Sequence, residues 1–196
     1  MGQAVKTQFQ PQLAEISSQL QSNSLQVVES FSGLHAHQLN LRLESYSWSI
    51  AECIVHLNLF SDAFVPAIRQ SCEYARAEEW FSDGPFKMDV MGRLLRYALE
   101  PPSRWKAVTT LEFEPTFIEP LEQVVPTFVE FQSQLIQLVD IASGLDLNRI
   151  KIASPVSNHI RYNLYSCFLI IAAHQRRHLW QADQTRSALM LSESRR

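Results

Sequence analysis

The residues of this chain with the most chemistry in them are His174 and His178, four positions apart in His174-Gln175-Arg176-Arg177-His178. At the spacing of a helix face, the stripe around them reads Ile160, Leu164, Cys167, Ile171, His174, His178, Gln181. Its first four members are apolar, as the buried face of an amphipathic helix should be. The next two are imidazoles. Residues i and i+4 lie on one side of a helix, about 6 Å apart, so the two rings can share one divalent metal ion. Buried polar groups are costly unless satisfied, and a metal is the sharpest reason for two histidines on a core stripe; two hydrogen-bonded core histidines are the plainer one. A second stripe, Cys53, His56, Phe60, Ala63, Ala67, places His56 where an apolar residue is expected. Two ligands on one helix and one on another make a facial three-histidine set. Such a set leaves coordination positions open, as catalytic sites do. Position 175 is Gln, not the Glu that serves as base in His-Glu-x-x-His, so a hydrolytic base must come from elsewhere or from water activated by the metal.

Other polar residues near these stripes are weaker candidates. Glu52, one turn before His56, is a candidate base or hydrogen-bond partner of a ligand, although Ser49-x-x-Glu52 reads more strongly as a capping box. Gln181, one turn past His178, is a candidate for bonding a ligand or a bound water. Asn23 and Ser24 interrupt an apolar stripe and one of them could face the site. Cys53 is the nearer cysteine to His56 and is a low-odds fourth ligand. Antiparallel helices would set Cys53 and Cys167 roughly 18 Å apart at a rise of about 1.5 Å per residue, which excludes a disulfide between them. His35 and His37 are expected in an exposed loop, and His159 at the start of the last helix. Arg149, Lys151 and Arg161 could attract an anion, but a solvated basic edge is the default. Arg176 and Arg177 should point away from the histidine stripe, toward an acidic neighbour or a second subunit.

Four long helical patterns must position these groups. The first runs from about Pro11 to Phe31, with Leu13, Ile16, Leu20, Val27 and Phe31 inward. The second starts at the Ser49 capping box and runs to about Trp80. The third starts near Pro120 and carries Leu121, Val124, Phe128, Phe131, Leu135, Leu138 and Ala142, with Pro126 inside it as a kink or a late start and Gly144 as its stop. The fourth runs from about Asn158 to Arg186. Residues 81–119 separate the second and third and hold a short helical pattern near Met88–Leu99 before Pro101-Pro102. That length can cross a bundle, so the second and third helices can run parallel. The expected class is all-α, a four-helix bundle with one long crossover.

Composition sets the outer bounds. With 196 residues, 46% of them hydrophobic, a single domain with a substantial core is expected. Five glycines and long periodic stretches favour helices over strands. A net charge of −3 argues against nucleic-acid binding through a broad basic surface. Cys53, Cys72 and Cys167 cannot all pair, so a reduced, cytoplasmic protein is the simplest expectation. MGQAVKTQFQ has no apolar segment of a secretory signal, and Lys6 stands where a myristoylation motif needs Ser or Thr. Cys167–Ala173, the longest strongly apolar run, is too short to span a bilayer.

Two segments together resemble a known family. Tyr46-Ser47-Trp48-Ser49-Ile50-Ala51-Glu52-Cys53-Ile54-Val55-His56-Leu57 resembles the WS..E...HL segment of the DinB-like superfamily, with Gln38-Leu39-Asn40 before it fitting the pattern. His174 to Ala182 resembles its C-terminal H...H..Q segment. The superfamily includes YfiT-like metal-dependent hydrolases and bacillithiol S-transferases, and is distinct from the DNA polymerase of the same name. The likeness covers most of the chain, about residues 10–186. It implies a four-helix bundle in up-down-down-up order and commonly a homodimer. It also implies a divalent metal, usually zinc or nickel, held by His56, His174 and His178. The activities it implies are hydrolysis or transfer of a thiol to an electrophile, with a low-molecular-weight thiol as co-substrate and a small molecule of unidentified structure as substrate. The competing class is a non-catalytic binding or dimerisation bundle whose metal site is structural or vestigial.

Overall fold

The computed structural model describes residues 10–102, 110–115 and 121–193. Its elements are α1 (Pro11–Phe31), α2 (Ala36–Leu39), α3 (Ile50–Ala77), α4 (Val90–Leu99), a 3-10 turn at Leu111–Phe113, α5 (Leu121–Ile141), strands β1 (Lys151–Ser154) and β2 (Ser157–Asn163), and α6 (Leu164–Glu193). The chain is mostly helical, with one small two-stranded sheet.

Local sequence accounts for most helix boundaries. Pro11 opens α1, where the missing N–H costs nothing, and Leu13, Ile16, Leu20, Asn23, Val27 and Phe31 form its buried stripe. At the start of α3 the Ser49 hydroxyl accepts from the Glu52 N–H at 3.2 Å while the Glu52 carboxylate accepts from the Ser49 N–H at 2.8 Å, the reciprocal capping box. Replacing Ser49 by Ala should therefore cost about 1 kcal/mol in urea unfolding; an unchanged midpoint would mean that the hydroxyl is not what holds this helix end. α3 ends at Ala77, short of the expected Trp80, which instead lies under the Arg149 guanidinium, 4.0 Å from the ring centroid. Pro126 neither ends α5 nor delays it: the helix runs unbroken through it, as α3 does through Pro66, and both rings lie on exposed faces. Pro120 lies outside the described residues. Beyond α5, Gly144 has φ +80°, a left-handed turn that glycine adopts without strain.

The expectation for the last helix is corrected at its start. Residues 157–163 are strand rather than helix, paired antiparallel with β1 through a Pro155-Val156 turn, with Ile152 opposite Tyr162. Asn163 explains the boundary. Its side-chain oxygen accepts from the Ser166 N–H at 2.8 Å, the bond an N-cap makes, so the helix begins at Leu164. His159 is thus an exposed strand residue.

The four long helices pack on one another, α3 and α1 each against both α5 and α6. Hydrogen bonds give their directions. Asn58 donates to the Val124 carbonyl at 3.1 Å near the starts of α3 and α5, and Arg76 to the Ile141 carbonyl at 2.7 Å near their ends, so these two run the same way. Gln12 bonds Tyr165 at 3.1 Å, and Asn23 bonds the Ala172 carbonyl at 3.3 Å, which makes α1 and α6 parallel. The long connection after α3 carries α4 along α6, where Arg176 donates to Glu100 at 3.1 Å and Arg177 to the Ala98 carbonyl at 3.1 Å. Both arginines point away from the histidine stripe as expected, but they clamp α4 and Arg177 is buried. One helix, Ile50–Ala77, is long and apolar enough to cross a membrane, yet 67% of its most apolar window is buried inside the protein. Cys53, Cys72 and Cys167 are free and buried.

Candidate metal centre

Helices α3 and α6 bring His56, His174 and His178 together: one ring nitrogen from each lies within 4.8 Å of the others. Among the described residues this is the group of His, Cys, Asp or Glu side chains arranged to hold an ion. The His56 Nδ1–H donates to the Phe113 carbonyl at 2.7 Å. A carbonyl can only accept, so this bond sets the tautomer and leaves the Nε2 lone pair of His56 facing inward. That Nε2 lies 3.2 Å from Nε2 of His174. Two imidazole nitrogens on a tetrahedral zinc are about 3.3 Å apart, from Zn–N bonds of about 2.05 Å. His178 Nδ1 is buried and has no hydrogen-bond partner among the described residues, so a donor atom of the trio is left available. The donor set and its spacing fit a divalent cation.

Aromatic rings wall the group. Trp48 stacks on His178 with centroids 5.5 Å apart and leans on His56 at 4.8 Å. Phe60 packs on His56 at 4.8 Å and on His174 at 4.5 Å, and Phe113 closes on Phe60 at 4.2 Å. This low-dielectric wall penalises charge. Burial pushes the His56 pKa down to about 4, against a smaller upward pull from the Phe113 carbonyl. His174 and His178 are pushed well below the ordinary histidine value, first by burial and then by the other cations of the cluster, Arg177 included. His174 keeps a partly exposed edge, so its burial is less complete than that of His56 or His178. Gln181 lies near enough to oppose part of the His178 shift but does not complete a bond with its Nδ1. The neutral imidazoles that result are the form that binds metal.

The remaining candidates fall elsewhere. Glu52 is held by Arg42, whose Nε donates to it at 2.9 Å, and by the Ser49 N–H. Burial raises its pKa, but the bonds from Arg42 and Ser49 and the charge of Arg42 outweigh that and leave it lowered. A carboxylate so held is a poor proton acceptor. Arg42 was not visible as its partner in the sequence, because residues 40–49 follow no helical period. Asn23 is bonded to Ala172 and Gln175 and does not join the histidines; Ser24 is half-buried. Cys53 is outside the histidine group, and burial drives its pKa far up, so it is a neutral core thiol. His35 and His37 are exposed with stacked rings, but not in a plain loop: His35 is the N-cap of the short helix α2 and His37 lies on it. The Arg149–Lys151–Arg161 cluster is not an anion site: Arg149 covers Trp80, Lys151 pairs with Asp89 at 3.1 Å, and Arg161 is an exposed strand residue. A pocket of about 800 Å³ is an open groove lined by Phe31, Leu34, Leu39, Leu121 and Val125 together with His35, Glu122 and Glu130, and it includes none of the three histidines. The groups missed by sequence reasoning are the Phe113 carbonyl, a backbone atom no side-chain pattern reveals, and the Trp48 and Phe60 walls.

The DinB superfamily family model matches residues 18–182. The chain belongs to the DinB superfamily. The match spans both histidine-bearing helices and the loop between α1 and α3. No curated protein and no solved structure matches the chain significantly.

Proposed function

We propose that this DinB-superfamily protein is a metal-dependent enzyme, a hydrolase or thiol S-transferase, with one divalent ion on His56, His174 and His178. The observation that carries the reading is three neutral, largely buried imidazoles whose donor atoms lie within 4.8 Å, on a chain whose family match covers both ligand helices. When bound, the ion would supply Lewis acidity, lowering the pKa of a water or thiol or polarising an electrophile. The chain's own groups do the positioning. Phe113 holds His56 in the Nδ1–H tautomer, and Trp48 and Phe60 lock the ring planes and exclude water. Without a metal, the close pair of Nε2 atoms needs a proton on the His174 side, since His56 already carries its own on Nδ1; with a metal, both Nε2 atoms are ligands. Glu52 is engaged in the capping box and with Arg42, so a proton acceptor for hydrolysis would be metal-activated water or the substrate itself.

The reading extends to an up-down-down-up four-helix bundle, supported by the parallel pairs α1/α6 and α3/α5. We further propose a cytoplasmic homodimer acting on a small molecule, with zinc or nickel as the ion, since imidazole suits both. The alternative of a structural or vestigial site is favoured by one observation, the depth of His56 and His178, which are both buried.

Metal content decides the first step. The chain purified without a histidine tag or chelator should carry about one equivalent of a divalent transition metal by mass spectrometry. The His174→Ala/His178→Ala protein should bind it at least about 100-fold more weakly, since even loss of a ligand's hydrogen-bond partner typically weakens metal sites by 10–100-fold. Metal retention by the double variant, or none in the wild type after reconstitution with zinc, nickel and manganese, would sink the proposal. Loaded protein inactive across ester, amide and thiol-transfer substrates would leave the structural reading.

A further inference from the structure

The apolar core is divided along its length. One cluster holds Leu13, Ile16 and Leu20 of α1, Phe64 to Ala75 of α3, Leu135 to Val139 of α5 and Leu164 to Ala172 of α6. The other holds Val27 and Phe31, Ile50 to Leu57, Val124 and Phe128, and Leu179 and Ala182. On every long helix a polar residue stands on the buried stripe at the break: Asn23, Ser61, Gln132 and Gln175. They are exposed by only 4%, 3%, 1% and 1%.

Two of the four are satisfied by protein and two are not. Asn23 donates to Gln175 at 2.9 Å and to the Ala172 carbonyl at 3.3 Å. Ser61 donates to Leu57 in its own helix at 2.9 Å, which leaves its oxygen able to accept. Gln132 has no hydrogen-bond partner among the described residues at either amide atom, and Gln175 has none at its Nε2.

A buried amide without a partner is strongly disfavoured, and two of them, Gln132 and Gln175, stand at the break between the two core clusters. We infer that Gln132 holds an internal water, a neutral ligand able both to donate and to accept, in the polar break that also carries Asn23, Ser61 and Gln175. A buried water typically makes about three hydrogen bonds. The Gln132 carbonyl and amide supply an acceptor and a donor, and the Gln175 amide and the Ser61 oxygen are the other unused polar groups of the same break. Gln175 directly follows His174 in α6, whereas Gln132 is on α5, which carries none of the three histidines. The water site does not depend on a metal being bound.

The test uses the whole chain in water. Oxygen-17 relaxation dispersion counts long-lived internal waters, and a high-resolution crystal structure locates them. The wild type should show ordered water bonded to the Gln132 amide. Gln132→Met should lose at least one long-lived water, whereas Gln137→Met, at an exposed position of the same helix, should lose none. An unchanged dispersion in a folded Gln132→Met protein overturns the inference. So does an electron-density map in which the Gln132 amide bonds directly to protein, a result that needs no variant to fold.

Discussion

Acidifying the metal-free protein from about pH 7 to pH 4 should destabilise it steeply, and the slope should belong to the three histidines. In the unfolded chain a histidine protonates near 6.5. In the folded chain His56 does so only near 4, and His174 and His178 also lie well below the ordinary value. Between these limits the unfolded state holds more protons, so unfolding is favoured as the pH falls. The stability is fully present above the unfolded value, drains between about 6.5 and 4, and levels off below the folded value. From the shift of His56 alone the loss is on the order of 3 kcal/mol at about 1.4 kcal/mol per unit. The partly exposed edge of His174 keeps its share smaller than full burial implies. The lowered pKa values of Glu52, Asp89 and Glu100 add a second loss, each raised by burial but lowered more by its bonds. That loss sets in only below the carboxylate range near 4.5. Chemical denaturation of wild type and His56→Gln at several pH values separates the two. His56→Gln should be flatter between pH 6.5 and 4.5 and unchanged below. A wild type equally stable at pH 7 and 5 would mean that the trio is hydrated. Protons compete with metal for the same nitrogens, and because the folded His56 protonates only near pH 4, a folded protein should hold its metal down to about that pH.

Gly92→Ala should be the most damaging single methyl group. A Cβ at Gly92 would sit 2.3 Å from both Cβ and Oγ of Ser166 on α6, and 2.9 Å from the Asp89 carboxylate oxygen. Neither neighbour can step aside. Ser166 is fully buried, and its hydroxyl donates to Asp89 at 3.2 Å while accepting from the Asp89 N–H at 3.1 Å. Asp89 also caps α4 through the Gly92 N–H at 2.9 Å and takes the Asn163 N–H at 2.7 Å and Lys151 at 3.1 Å. Separating α4 from α6 would break this network together with the Arg176–Glu100 clamp. Overpacking costs about 1–3 kcal/mol and a lost cap about 1 more, against about 1 kcal/mol gained from alanine's helix propensity. The expected net loss is about 1–3 kcal/mol, or roughly 2–12 °C in Tm for a chain of this size. Gly33→Ala, with nothing within 4 Å of its Cβ, is the control and should melt within about 2 °C of wild type. A Gly92→Ala protein as stable as wild type would show that α4 does not ride this close to α6.

What local sequence could reveal, it revealed. The Leu13–Phe31 stripe, the Ser49–Glu52 capping box and the His56, His174, His178 trio all rest on helical period or on residues three and four apart, and the structure has the stripe buried, the capping box formed and the three rings together. The hairpin before α6 was missed because Ile160 fits a helical stripe and an alternating strand equally well; only pairing with Lys151–Ser154 across a turn decides between them. In α5 the stripe was phased on Phe131, but the residue turned fully inward is Gln132, since polarity argued for the wrong face.

The sequence by itself determined the helical class, the family and the three imidazoles, because each depends on side-chain identity at short spacing. Only the tertiary structure decided that a carbonyl at Phe113 sets the His56 tautomer, that Glu52 belongs to Arg42, that Arg177 is buried on α4, and that one polar layer crosses four helices. Those relations join residues far apart in the chain or run through backbone atoms. Their energies come from desolvation and geometry that exist only once the helices have packed.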